Sequence, residues 1–201
     1  MIRNFIFDMG NVLLTYRPIE MARALCAEAP HAEAVCRAVF GAPEWAMLDA
    51  GTIEEDTFLK TVLDRSDASL EGDIRNTFAH WHEHMQPILG AEEFVKARKR
   101  EGRRVFVLSN ASMRFFSYWQ EKPALREIDD CVISAKERIT KPNERIFRLL
   151  LDRYSLNPSE CLFLDDIQEN ADAASRLGIM GICFDGDYAK LTRTLSERGI
   201  L

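Results

Sequence analysis

Five short apolar runs, each followed by a stretch with helical spacing, constrain this chain more than any other feature. The runs are residues 3–8, Arg104-Val105-Phe106-Val107-Leu108, Cys131-Val132-Ile133, Cys161-Leu162-Phe163-Leu164 and Met180-Gly181-Ile182-Cys183-Phe184. Strands that are apolar on both sides need cover on both faces, which is the habit of parallel sheets. Helices are expected at about 91–101, 112–120, 143–154, 168–177 and 187–198, with Gly178 ending the fourth. Strands that alternate with amphipathic helices imply an α/β fold: a Rossmann-like, doubly wound parallel sheet.

One long stretch breaks this rhythm. From Pro18 to about Met85 only helical periodicity is visible. Pro18 suits a first helical turn. Thr52-Ile53-Glu54-Glu55 reads as a capping box for a helix ending near Arg65. Leu70, Ile74, Phe78, Trp81 and Met85 recur every three or four residues and mark one apolar helix face. The expected organisation is a core of residues 1–15 and 87–201, with an all-helical insertion, 16–86, after the first strand.

A chain of 201 residues can bury a sizeable core without disulfides. Its net charge of −6 argues against a duplex-binding surface, so no nucleic-acid partner is expected. The basic run Lys96-Ala97-Arg98-Lys99-Arg100 reads as a solvated helix end. Five cysteines, an odd number without a C-x-x-C pair, read as buried hydrophobes of a reduced protein. Met1-Ile2-Arg3-Asn4 leads directly into a strand pattern, and no apolar run is long enough to span a membrane. The expectation is a cytoplasmic protein without a membrane partner.

In doubly wound sheets, ligands bind at the carboxyl ends of the strands. The first strand ends at Asp8 and the second at Ser109-Asn110; Thr140-Lys141-Pro142 follows the third. The fourth ends at Asp165-Asp166, with Asn170 one helical turn on. Each group alone has an ordinary reading: a loop-opening Asp, a helix-capping Ser-Asn, a solvated Lys. Together they bring a carboxylate, a hydroxyl, an amide, a lysine and a carboxylate pair to one edge. Adjacent carboxylates repel unless something positive lies near, and a hard cation such as Mg²⁺ is the common answer.

These residues resemble the motifs of the haloacid-dehalogenase-like (HAD) hydrolase superfamily. The likeness rests on Asp8 in "FIFDMGNVLL", Ser109 in "VFVLSN", Lys141 in "ITKPNERIF" and Asp165-Asp166 in "LFLDDIQENADAASRLG". The helical insertion looks like that family's cap domain. "FDMGNV" with "DDIQENADAA" is most similar to the sugar-phosphatase branch that includes α-D-glucose-1-phosphate phosphatases. The resemblance implies Asp8 as a nucleophile forming an aspartyl phosphate. It implies Mg²⁺ held by Asp8, the Gly10 carbonyl and Asp165, with Asp166 binding through water or fixing the other ligands. Ser109, Asn110 and Lys141 would hold the transferring phosphoryl group. The implied substrate is a small phosphorylated metabolite, a sugar phosphate above all; a monomer or homodimer is expected, with nothing in the sequence to choose between them.

One position departs from the family. Its phosphatases carry Asp-x-Asp, and the second Asp serves as general acid and base. Here that position is Gly10, and the amide of Asn11 after it is no base at neutral pH. Three readings follow. A good leaving group, such as an anomeric oxygen, lets hydrolysis proceed with help from a cap residue or a bound water. Alternatively the chain binds a phosphorylated metabolite or a partner and turns over poorly. The third reading is a metal-independent dehalogenase, which also lacks the second Asp; the Asp165-Asp166 pair speaks against it. Gly10 is further read as permitting an unusual turn that aims its carbonyl at a cation.

Other features carry less. His80-Trp81-His82-Glu83-His84 suggests a metal site, but the apolar stripe puts Trp81 inward and His80 and His84 outward. Trp45 and Phe58 read as packing within the insertion. Phe115, Phe116, Tyr118 and Trp119 read as the core and rim of one helix.

Overall fold

A computed structural model describes residues 1–201. Its centre is a parallel sheet of five strands: β1 (Asn4–Phe7), β2 (Arg104–Ser109), β3 (Asp130–Ile133), β4 (Cys161–Asp165) and β5 (Met180–Cys183). Their order is β3-β2-β1-β4-β5. The chain steps outward from β1 to β3, then returns to the other side of β1 for β4. The switch point therefore lies between β1 and β4, where such sheets open a crevice. Phe7 pairs with both Val107 and Leu164. The Asp8 N–H continues the ladder onto the Leu164 carbonyl at 2.8 Å. Asp8 and Asp165 consequently leave the sheet side by side.

Strand side chains alternate between faces, and the apolar residues divide accordingly. Phe5, Phe7, Val105, Val107, Leu162 and Leu164 pack with Phe94 and Val95 of helix Ala91–Arg100 and with Leu191 and Leu195 of helix Tyr188–Glu197. On the other face, Ile6, Phe106, Leu108, Val132 and Phe163 pack with Ile146, Phe147 and Leu150 of helix Glu144–Tyr154. Helix Gln168–Arg176 covers the same face and stops at Gly178, where φ is +84°. The expected doubly wound core is thus present.

Between β1 and helix Ala91–Arg100 lie five further α-helices: Pro18–Leu25, Ala32–Val39, Pro43–Asp49, Glu55–Asp64 and Glu71–His80. They have a core of their own, built from Val35, Val39, Leu48, Phe58, Val62, Ile74 and Phe78. No helix of the chain is long and apolar enough to cross a membrane.

Several local expectations need correction. Thr52 caps nothing: its Oγ1 donates back to the Met47 carbonyl at 3.1 Å. Helix Glu55–Asp64 starts from Glu54 without a side-chain cap. The cause is the left-handed turn at Gly51 (φ +65°), which folds Thr52 over the preceding helix end. The helix expected at 112–120 shrinks to Phe115–Tyr118 with a 3-10 turn at Trp119–Glu121. The loop before it is held to the next strand end, where the Ala111 N–H donates to Ser134 Oγ at 3.0 Å. Arg98 is not solvated: it is 5% exposed, with its guanidinium 4.5 Å from the Phe94 ring centre. Only Cys161 among the cysteines is buried, and Cys183, at the end of edge strand β5, is exposed.

Two substitutions test this packing. Phe163 is fully buried on β4 against Phe147, so Phe163→Ala should lower unfolding free energy in urea by about 3–5 kcal/mol. A Cβ on Gly51 would lie 2.1 Å from the Ala135 carbonyl oxygen, at a φ of +65°. Gly51→Ala should therefore destabilise by on the order of 2 kcal/mol and loosen the tip of the insertion, read as faster amide exchange there.

Candidate active site

Asp8 follows β1, Ser109 ends β2 and Asp165 ends β4, so three adjacent parallel strands deliver three polar groups to one edge. Lys141 comes from the loop after β3. A reciprocal pair fixes that loop to the end of β2: Asn110 Nδ2 donates to the Lys141 carbonyl at 3.0 Å, and the Lys141 N–H donates to Asn110 Oδ1 at 2.8 Å. The Lys141-Pro142 peptide is cis.

The Lys141 ammonium lies 2.8 Å from Asp8 Oδ1 and 2.6 Å from Asp165 Oδ2. The Asp165 contact is a hydrogen bond, whereas the Asp8 contact is an ion pair without that alignment. Asp165 is further held by Asn170 Nδ2, which donates to both oxygens at 3.0 and 3.1 Å, and by the Ile167 N–H at 2.9 Å. Asn11 Nδ2 donates to Asp166 Oδ2 at 3.0 Å, while Asn11 Oδ1 accepts from the Tyr16 N–H, also at 3.0 Å. Asp165 and Asp166 thus each have their own orienting donors.

Burial pushes the Asp8 carboxyl above its ordinary value; Lys141 opposes this, and Asp165 adds to it. Burial alone would lower Lys141, but the charges of Asp8 and Asp165 outweigh it and hold the ammonium firmly protonated.

One oxygen from each of Asp8, Asp165 and Asp166 lies within 4.8 Å of the others. Three carboxylates face one ammonium, leaving net negative charge, and Asp8 Oδ1 is buried without a hydrogen-bond donor. This all-oxygen, acidic set fits a hard divalent cation. Asp8, Gly10, Ser109, Asn110, Lys141 and Asp166 line one cavity of about 410 Å³, while Asp165 stands buried behind them. All seven residues expected from the sequence therefore converge.

The reading of Gly10 changes. Its backbone is not left-handed; Asn11, with φ of +53°, takes that conformation instead. Asn tolerates it because its side chain bonds the local backbone. A Cβ on Gly10 would meet nothing closer than Tyr16 Cβ at 3.7 Å. No backbone or packing demand therefore explains the missing side chain.

The opposite wall comes largely from the helical insertion and the loop before it: Tyr16, Phe40, Trp45, Trp81 and Asp49. Phe40 and Trp45 have ring centres 4.9 Å apart, and Trp45 and Trp81 5.3 Å apart. Trp45 thus faces the cavity, whereas Phe58 is fully buried and stacks on Phe78. Tyr118 reaches the cavity from the segment after β2, while Phe116 is exposed. Trp81 is buried as expected; His80 pairs with Glu83 at 2.8 Å, and His82 stacks on Tyr118. Sequence spacing identified neither Asp49 nor Tyr16 as wall residues.

The chain matches the description "haloacid dehalogenase-like hydrolase" over residues 2–178. It is 25% identical over 179 residues to the sesquiterpene phosphatase astK of Aspergillus oryzae, covering 88% of this chain and 87% of that one. A shorter match, 48% identical over 60 residues, joins it to acyl-CoA dehydrogenase family member 10 of Mus musculus; it spans 30% of this chain and only 6% of that protein. Among solved structures, the HAD family enzyme bt-2542 of Bacteroides thetaiotaomicron, in complex with magnesium and inorganic phosphate, superposes with a TM-score of 0.68 at 19% identity, over 95% of this chain and 99% of that one. With the strand-end constellation in place and the match extending over most of its length, this chain belongs to the haloacid dehalogenase-like hydrolase family.

Proposed function

We propose that the protein is a Mg²⁺-dependent phosphatase of small phosphorylated metabolites, acting through an aspartyl phosphate on Asp8. The observation that carries this reading is the buried Lys141 between Asp8 and Asp165, with Asp166 beside them. Such a site suits a trianionic meeting of nucleophile and phosphate dianion, because positive charge is already in place where negative charge collects. The phosphatase relative and the magnesium- and phosphate-bound fold neighbour support it.

In this reading Asp8 attacks phosphorus, and Lys141, Ser109 and the Asn110 amide bind the phosphoryl oxygens. Asp8, the Gly10 carbonyl, Asp165 and Asp166 would hold Mg²⁺, which supplies charge neutralisation for the phosphoryl group. Asn170 and Asn11 keep Asp165 and Asp166 aimed. Residues 16–86 act as a cap whose aromatic wall closes over the substrate and excludes water. The acidic trio is wasted on a metal-free dehalogenase, which disfavours that alternative.

The sugar-phosphatase resemblance favours a sugar phosphate. The aromatic wall of Tyr16, Phe40, Trp45 and Trp81 favours an organic group with an apolar face. Both a pyranose ring and a prenyl chain present one. A panel of sugar, prenyl and aryl phosphates, assayed for phosphate release with and without Mg²⁺, separates these. Turnover should require Mg²⁺ and fall to background in Asp8→Asn. Turnover that survives chelation, or that Asp8→Asn retains, would refute the reading; so would no release from any ester.

Lys141 also has a structural consequence. Lys141→Met leaves two buried carboxylates without their cation, so in metal-free buffer at neutral pH it should destabilise by about 3–5 kcal/mol in denaturant titration. Added Mg²⁺ should recover part of that loss.

A further inference from the structure

We propose that Asp49 is the general acid and base of this site, taking from the helical insertion the role that Gly10 cannot perform. This rests on the phosphatase reading above. Asp49 is the last residue of helix Pro43–Asp49 and lines the same cavity as Asp8, Ser109 and Lys141, on the part of its lining that the helical insertion supplies. A proton donor for the departing ester oxygen belongs on the side of phosphorus away from the nucleophile, so a group from the insertion, and not from the strand that carries Asp8, suits the role.

The placement of Asp49 is built in rather than incidental. Its main-chain carbonyl accepts a hydrogen bond from Ser134 Oγ, at the end of β3. The same Ser134 Oγ accepts from the Ala111 N–H in the loop after β2. Two residues on, Gly51 takes a left-handed turn beside Ala135, where an added Cβ would lie 2.1 Å from the Ala135 carbonyl oxygen. The tip of the insertion is thereby clamped to the carboxyl edge of the sheet, with Asp49 at the clamp.

The charged and titratable groups facing Asp49 are Asp8 from the end of β1, Tyr16 from the loop after it and Tyr118 from the segment after β2. Burial and the Asp49 charge push both phenols up, so they stay neutral. No basic group offsets Asp49; the Ser112 N–H alone favours its ionised form. Burial, with the charge of Asp8 adding, raises its carboxyl from 3.8 to about 7. Both protonation states are then available near neutral pH, as a group that first gives and later takes a proton requires.

The steps balance. Asp8 attacks phosphorus, the phosphorus–oxygen bond to the organic group breaks, and the departing oxygen takes the Asp49 proton. Asp49, now ionised, removes a proton from water. The water oxygen attacks phosphorus, the bond to Asp8 breaks, and inorganic phosphate leaves with both aspartates restored.

The raised carboxyl has a sign that separates catalysis from structure. Below about pH 4 both folded and unfolded chains hold the proton. Between about 4 and about 7 the folded chain alone keeps it, so this group's contribution to stability declines as pH rises through that window. Asp49→Asn removes the burden. It should be more stable than the wild type at pH 8 and indistinguishable near pH 4, whereas loss of a structural anchor would destabilise.

The test compares full-length wild type, Asp49→Asn and Asp49→Glu with saturating Mg²⁺, on an alkyl phosphate and on an aryl phosphate with an acidic phenol. Asp49→Asn should lose about 10²–10⁴-fold in kcat on the alkyl ester. On the aryl ester departure needs no acid but water attack still needs a base, so it should release a burst of about one equivalent of phenol before slow turnover. Asp49→Glu should regain part of the rate. An Asp49→Asn enzyme within about threefold of wild type on the alkyl ester would overturn the assignment. So would a loss that comes with a lower Tm at pH 8 and no burst. A wild type inactive on every ester would instead overturn the phosphatase reading, and the assignment with it.

Discussion

The buried ammonium of Lys141 is the interaction on which the rest of the site depends. Parallel register brings Asp8 and Asp165 out of neighbouring strands side by side, and Asp166 follows directly. Left alone, three carboxylates so close would repel one another and resist burial. Lys141 stands 2.8 and 2.6 Å from two of them, on a loop that Asn110 clamps to the next strand end. Asn170 and Asn11 supply the remaining donors. The fold concentrates negative charge at its switch point and offsets it only in part, which leaves the site short of positive charge.

Two sources of residues meet there. The sheet contributes strand ends that carry Asp8, Ser109, Asn110 and the Asp165-Asp166 pair, the groups proposed as nucleophile, phosphoryl ligands and cation site. The helical insertion contributes the aromatic wall and Asp49. It has its own core around Phe58 and Phe78, yet its tip is fastened to the sheet by Ser134 and by the close approach of Gly51. In the proposed reading, specificity and proton transfer fall to the insertion, while the nucleophile and its charge balance fall to the strand ends.

Much of the sheet was legible because its signals are local. Five apolar runs with helical intervals require a covered parallel sheet, and strand ends are where its ligands go. Asp8, Ser109 and Asp165 stand where that rule points, whereas Lys141 lies in a loop beyond β3 and was picked out by its company and the family resemblance. The wall of the insertion was less legible because nothing local marks it. Leu48-Asp49-Ala50-Gly51 reads as an ordinary helix end; only the docking of the insertion on the sheet edge brings Asp49 into the cavity that Asp8 lines. Thr52 misled for a similar reason, since the turn at Gly51 redirected its hydroxyl to Met47. Gly10 was assigned a backbone role that Asn11 fulfils. Arg98 looked solvated because a charged run hides the one member that lies over Phe94.

The account stands or falls on a covalent bond to one side chain. The most direct measurement is acid quenching during turnover of a good aryl phosphate, followed by peptide mapping in a mass spectrometer. A phosphoryl group on the peptide that carries Asp8, and on no other, is the expected result. Steady turnover with that peptide unmodified, or with the phosphoryl group on another residue, would contradict it.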